Sequence, residues 1–219
     1  MNFNIAIDGP AGAGKSTVAK IVAEKMNMTY IDTGAMYRAI TLLSIRQGKY
    51  DADNIIHLAK QAQIKIQGKN IYVNGEDVTD AVRNLEVTNK VSKIAKIPQL
   101  RIIMTQLQRQ MAKSKCIVMD GRDIGTTVLP DAKYKFYLTA NVKERAARRY
   151  KELIEDGQKV TLEQIEKDIM QRDRQDKKRA FSPLAVAKDA IIIDTTNKTI
   201  MQVVEEILDW IKRGGDIVL

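Results

Sequence analysis

Residues Gly9-Pro10-Ala11-Gly12-Ala13-Gly14-Lys15-Ser16 match the pattern G-x-x-x-x-G-K-[ST] at every fixed position. They follow the apolar run Phe3–Ile7 and open an apolar-periodic segment, so the pattern sits between a strand and a helix, where its chemistry requires it. Glycines let the chain curl without side chains in the way, and successive backbone N–H groups then point inward as an anion-binding nest. The following helix adds the positive end of its dipole. Gly9 to Thr17 are therefore expected to cradle the phosphates of a nucleotide, with Lys15 reaching the β/γ-phosphates and Ser16 holding Mg²⁺. This is a P-loop.

The rest of the chain alternates between strand and helix character. Strands are expected near 3–7, 29–31, 116–120, 134–138 and 190–193. Asn4-Ile5-Ala6-Ile7, Cys116-Ile117-Val118-Met119 and Ala190-Ile191-Ile192-Ile193 are short continuous runs suited to a parallel sheet covered on both faces. Helices are expected near 15–26, 34–47, 53–61, 84–94, 98–113, 141–156, 161–178 and 199–212. Such alternation predicts an α/β three-layer fold with right-handed crossovers. One stretch interrupts it. Ile64–Gln67, Ile71–Val73 and Glu76–Val78 read as very short strands joined by turns at Gly68-Lys69-Asn70 and Asn74-Gly75, the second a strong hairpin signal. Residues 63–95 are read as a small antiparallel insertion, too small to stand alone.

A chain of 219 residues, 44% hydrophobic and 29% charged, is an ordinary globular protein with room for one substantial core. It carries no apolar run of membrane-spanning length and no basic-then-apolar leader. Its one cysteine, Cys116, cannot close an internal disulfide and lies among apolar neighbours, so it is expected to be buried and inert; a cytoplasmic location follows. The net charge of +9 invites a nucleic-acid reading, but the basic residues are interleaved with acids, aromatics are 5%, and no nucleic-acid module is present. Phosphate-bearing small molecules account for the charge equally well. The only histidine, His57, reads as a helix-surface residue, which removes histidine-based catalysis and histidine metal clusters.

A P-loop alone leaves GTPase, motor, transporter ATPase and kinase open. Three further groups of residues narrow the choice. Asp32-Thr33-Gly34-Ala35-Met36-Tyr37-Arg38 brings a carboxylate, a hydroxyl and an arginine to a strand end, the ligand-binding side of an α/β sheet; the plain alternative is a helix cap followed by a surface arginine. Met119-Asp120-Gly121-Arg122-Asp123-Ile124-Gly125 leaves another strand, with Asp120 where a carboxylate orients Mg²⁺ or its waters and Arg122 and Asp123 behind a glycine turn. Arg172, Asp176 and Arg179 fall on one face of a basic helix that Phe181-Ser182-Pro183 is expected to end. Alone that helix is a solvated, salt-bridged face; with a P-loop upstream it reads as a mobile lid whose arginines close over a transferring phosphoryl. If the acceptor is itself a phosphate, no strong general base is needed, because a phosphomonoester with a second pKa of about 6 is already mostly dianionic. The task is then to hold two polyanions in line and neutralise their repulsion.

The order GPAGAGKST, DTGAMYR, DGRDIGT, RDRQDKKR, with a small β insertion after the second, resembles the bacterial cytidylate kinases, the CMP/dCMP kinases of the nucleoside monophosphate kinase family. The resemblance runs end to end. It implies a P-loop kinase fold with a parallel five-stranded sheet, a core of 1–62, 96–147 and 185–219, a CMP-binding insertion near 63–95 and a helical lid near 148–184, all in one domain. It implies ATP-dependent, Mg²⁺-assisted phosphorylation of CMP and dCMP by a cytoplasmic monomer. Gly9 to Thr17 would hold ATP; Thr33, Arg38, Arg101, Arg122 and Asp123 would bind the acceptor, with Arg38 on its phosphate. Arg172 and Asp176 would hold the ribose hydroxyls and Arg179 the phosphates. Lys15, Arg122 and Arg179 would act on the transferring group, and Ser16, with Asp32 and Asp120 through water, would hold the metal. The family's usual serine before the second glycine is Thr33 here, which keeps the hydroxyl and adds a methyl. The nearest rival is a related small P-loop kinase with another nucleotide or an alcohol as acceptor; a more distant one is a nucleotide-binding switch, for which no N-K-x-D segment is present.

Overall fold

The runs Ile5–Asp8 and Ile117–Gly121 are buried on both faces, as expected, whereas Ile191–Asp194 buries Ile193 and leaves Ile192 exposed, so the third run is not covered on both sides. The computed structural model describes residues 3–114, 116–155 and 157–214. Contacts divide the chain into two compact units, residues 1–30 with 115–219 and residues 31–114. The first contains β1 (Ile5–Asp8), α1 (Lys15–Lys25), β6 (Ile117–Gly121), β7 (Tyr134–Thr139), α6 (Val142–Glu155), α7 (Leu162–Lys177), β8 (Ile191–Asp194) and α8 (Ile200–Arg213); β2 (Thr29–Asp32) crosses its border. The sheet order is β2-β6-β1-β7-β8, and β1 runs parallel to both β6 and β7, as β7 does to β8. The sheet is the parallel five-stranded one expected, each strand displaced from its expected range by at most two residues at either end.

Strand alternation sorts the side chains of this sheet. Ile5, Ile7, Phe136, Leu138 and Ile193 pack with Val18 and Val22 of α1 and Val203, Val204, Ile207 and Ile211 of α8 in one apolar cluster. Asp8 and Tyr137 are register partners on β1 and β7, and Ala6 pairs with Lys135, so these residues share the opposite face. α8 begins with a reciprocal capping box between Thr199 and Gln202. Helices α6 and α7 hold a small apolar cluster of their own, built on Ala146, Leu153, Ile165 and Ile169.

The second unit comprises α2 (Thr33–Gln47), α3 (Ala52–Gln61), β3 (Ile64–Gln67), β4 (Asn70–Val73), β5 (Glu76–Asp77), α4 (Leu85–Ile94) and α5 (Pro98–Met111). β3, β4 and β5 form the expected antiparallel meander. Asn74 and Gly75 both adopt positive φ, 53° and 86°, the mirror-image turn that suits a tight hairpin. This unit is wider than the 63–95 segment expected to form it. Ile64, Ile71 and Val73 of the small sheet share one apolar cluster with Met36 and Ile40 of α2 and Leu100 and Met104 of α5, so the flanking helices belong with the meander.

Two local expectations need correction. α7 ends at Lys177, before Arg179 and before Phe181-Ser182-Pro183, because Lys178 already leaves helical geometry. Cys116 is half-buried rather than buried, with φ 59° at the entry to β6. The helix expected over 141–156 and the core segment expected over 185–219 extend into residue 156 and residues 215–219, which lie outside the described residues. His57 is exposed on α3, as expected. Among the described residues no helix is long and apolar enough to cross a membrane.

Candidate active site

β1 delivers the chain to Gly9, whose φ of 147° and close approach to β7 both demand glycine: a Cβ there would lie 2.0 Å from the Leu138 carbonyl oxygen. Gly14, at φ 81°, caps α1 without any side chain, so the first-turn N–H groups of α1 stay available to an anion. Lys15 is buried and its Nζ donates to the Pro10 carbonyl at 2.7 Å. Burial, then the Arg122 guanidinium, pushes its pKa down to about 7 against the pull of Asp120. Ser16 is exposed, and its hydroxyl donates to Asp120 Oδ2 at 2.8 Å. Tyr30 Oη donates to Asp120 Oδ1 at 2.8 Å, so the carboxylate at the end of β6 is aimed by two hydroxyls.

Past Asp120, the chain makes a single π turn over Ile124–Val128: Val128 N–H reaches back to the Asp123 carbonyl and Leu129 N–H to Ile124. Arg122 and Asp123 lead into that turn. Arg122 Nε donates to Asp176 Oδ2 of α7 at 2.9 Å, and Arg179 donates to Asp176 Oδ1. Asp176 is 1% exposed; burial opposes its ionisation, but the Arg122, Arg179 and Arg172 guanidiniums outweigh that and hold its carboxyl below the usual carboxylate value. Arg172, Asp176 and Arg179, singled out in the sequence, are thus brought together with Arg122, although Arg179 reaches Asp176 from beyond the helix.

The second unit carries the other predicted residues. Asp32 caps α2 by accepting from the Ala35 N–H at 2.9 Å, and its other oxygen accepts from Arg38 at 2.8 Å. Both oxygens are engaged in that way, and each keeps a further lone pair with which to accept from a water. Thr33 is buried at the first turn of α2. Arg101, one turn into α5, is buried, donates to the Ala95 carbonyl at 3.3 Å and lies 5.4 Å from the centroid of the Tyr37 ring.

The cytidylate kinase family model matches residues 5–213, nearly the whole chain. The chain belongs to the cytidylate kinase family. Curated cytidylate kinases from Desulforamulus reducens and Clostridioides difficile are 53% and 49% identical to it, over 96% of this chain in both cases and over 97% and 98% of theirs. Two solved structures share its fold: a gluconokinase from Sinorhizobium meliloti (TM-score 0.52, 13% identity, 97% of this chain and 93% of that one) and a shikimate kinase from Bacteroides thetaiotaomicron (TM-score 0.51, 14% identity, 97% and 99%). The P-loop kinase fold expected from the sequence is the fold found.

The structure of this cytidylate kinase family member also contains residues that the sequence did not single out. Asp8, the last residue of β1, accepts from the Ile124 and Gly125 N–H groups at 2.8 and 2.7 Å. Burial pushes its pKa up to about 7 against those two hydrogen bonds. Arg145 of α6 donates to the Ala11 carbonyl at 2.8 Å and to Asp173 at 2.6 Å, while Asp173 of α7 accepts from the Ala11 N–H at 3.2 Å. One P-loop residue, Ala11, is thus held through both its backbone N–H and its carbonyl by side chains of α6 and α7. A signal for Asp8 was present, since a carboxylate closing a fully buried strand needs a partner. None was present for Arg145 and Asp173, whose pairing spans 28 residues.

Proposed function

We propose that this chain transfers the terminal phosphoryl group of ATP to CMP and dCMP, giving ADP with CDP or dCDP. The observation that carries this reading is the arginine-rich centre beside the P-loop. Lys15, Arg122, Arg172 and Arg179 surround two buried carboxylates, Asp120 and Asp176, and a surplus of cationic groups is what two polyanions need to come together. Gly9 to Thr17 take the donor phosphates. Thr33, Arg38, Arg101, Arg122 and Asp123 take the acceptor, Arg172 and Asp176 its sugar, and Arg179 its phosphate, following the family resemblance.

The hydroxyl of Ser16 and the carboxylate of Asp120 are hard oxygen donors already in contact, a set that suits Mg²⁺. When bound, the ion would neutralise charge on the transferring phosphates. Lys15 spreads its charge over the same phosphates, and the lid arginines over the transferring group. No side chain is asked to remove a strong proton, because the acceptor phosphate is its own nucleophile. The reading takes the protein as a cytoplasmic monomer acting on small nucleotides and not on nucleic acid. A coupled assay of ADP release with CMP, dCMP, UMP, AMP and GMP tests it. Turnover is expected with CMP and dCMP above all; none with either would overturn it.

A further inference from the structure

A buried carboxylate that accepts two backbone amides and touches neither a lid arginine nor the magnesium-type donor pair is the one acidic group near the site without an assigned task. Asp8 is 4% exposed and directly precedes Gly9. Its two oxygens are used separately, Oδ1 by the Ile124 N–H and Oδ2 by the Gly125 N–H. Those amides open the π turn that follows Arg122 and Asp123. A carboxylate is the side chain suited to this seat, because it alone among side chains of that size offers two acceptor oxygens and no donor. The seat is also tight: a Cβ on Gly125 would stand 3.2 Å from Lys135 Cδ and 3.4 Å from Asp8 Oδ2.

We propose that Asp8 is a positioning residue for phosphoryl transfer, pinning the π turn to the end of β1 and so fixing Arg122 and Asp123 relative to the P-loop. The connection is continuous. Gly9 is covalently next to Asp8, Asp8 holds residues 124 and 125, and Arg122 just before them holds Asp176 of the lid at 2.9 Å. Register alone would not secure this, since β1 and β6 stop pairing at Asp8 and Gly121, one residue short of Arg122. Beyond that point the carboxylate replaces the ladder. The groups around Asp8 are Asp123 of the turn, Lys15 of α1 and Lys135 and Tyr137 of β7, none of which supplies a second pair of acceptors to those amides.

This inference rests on the CMP kinase reading, and the test separates the two. Asp8→Asn keeps the shape but turns one acceptor into an NH₂ that faces an N–H donor. In the coupled assay the expected result is a fall in kcat of about 10- to 100-fold and a clear rise in KM for CMP, as a misplaced group costs on the order of 10²-fold. Binding of a fluorescent ATP analogue should stay within about twofold, because the nest of α1 is untouched. Arg122→Ala and the double variant complete a cycle: if Asp8 acts through the turn, adding Asp8→Asn to Arg122→Ala costs much less than it does alone. Should the Asn variant fail to fold, Gly125→Ala, which keeps the carboxylate and crowds its seat, must show the same acceptor-side defect. Normal CMP kinetics in whichever variant folds, or full additivity in the cycle, would overturn the role of Asp8. Failure of the wild-type protein to phosphorylate CMP would instead overturn the functional reading.

Discussion

Lys15 carries its charge at a disadvantage until a nucleotide arrives. It is buried beside Arg122 and Arg172, and without phosphates its acceptor is the Pro10 carbonyl. Its pKa falls from 10.5 to about 7, so the folded protein holds this proton less tightly than the unfolded chain does. The resulting cost to stability is full below pH 7 and fades as the pH rises towards 10.5. Triphosphate reverses the balance by favouring the ammonium. At pH 8.5, where ATP is fully ionised, binding should therefore draw up to about one proton from the buffer. Calorimetric titration in two buffers of different ionisation enthalpy measures this uptake, and Lys15→Ala supplies the control. Equal uptake by both proteins would remove Lys15 as its source. The same variant should lose about 2–4 kcal/mol of transition-state stabilisation, read as a fall in kcat, because a preorganised charge near the transferring group is gone.

At the scale of elements, helices and strands were legible because their patterns are local. The Asn74-Gly75 hairpin, Pro98 at the start of α5 and the P-loop between β1 and α1 each announce themselves within a few residues. What the lid does was less legible. Arg172 and Asp176 stand out by spacing, but the tie of α6 and α7 to the P-loop runs through Arg145 and Asp173, which look like ordinary members of charged helices. Only the folded chain shows that they close on the backbone N–H and carbonyl of Ala11. Both are buried, Arg145 at 4% exposure and Asp173 at 8%, so removing one leaves a buried charge without its partner. Asp173→Ala should cost about 3–5 kcal/mol of stability, well beyond the ~1 kcal/mol of an exposed pair. Urea denaturation monitored by circular dichroism gives the value. A loss near 1 kcal/mol would mean that the clamp is solvated and that α6 and α7 are held by their apolar cluster alone.

Over the whole molecule, the groups assigned to donor and acceptor fall largely in different compact units. The P-loop, Asp120, Arg122 and the lid residues belong to the unit built on the parallel sheet, whereas Thr33, Arg38 and Arg101 belong to residues 31–114. No linker, glycine run or change in composition marks the borders after Tyr30 and Ser114, which is why the sequence suggested one domain with a shorter insertion. The border became visible only through packing, as α2 and α5 share a core with the small sheet. This division predicts separable binding defects. Arg38 donates to Asp32 and Arg101 to the Ala95 carbonyl, both within their own unit. Replacing either with alanine should weaken CMP binding by about 10- to 100-fold, the value of a charge-assisted contact of about 1.5–3 kcal/mol. Affinity for a non-hydrolysable ATP analogue should move by no more than about twofold if the two sites act independently. Separate titrations of the two ligands decide the matter. A comparable loss of ATP-analogue affinity in Arg38→Ala would show that the acceptor arginine shapes the donor cradle as well, and the division of labour drawn here would have to be abandoned.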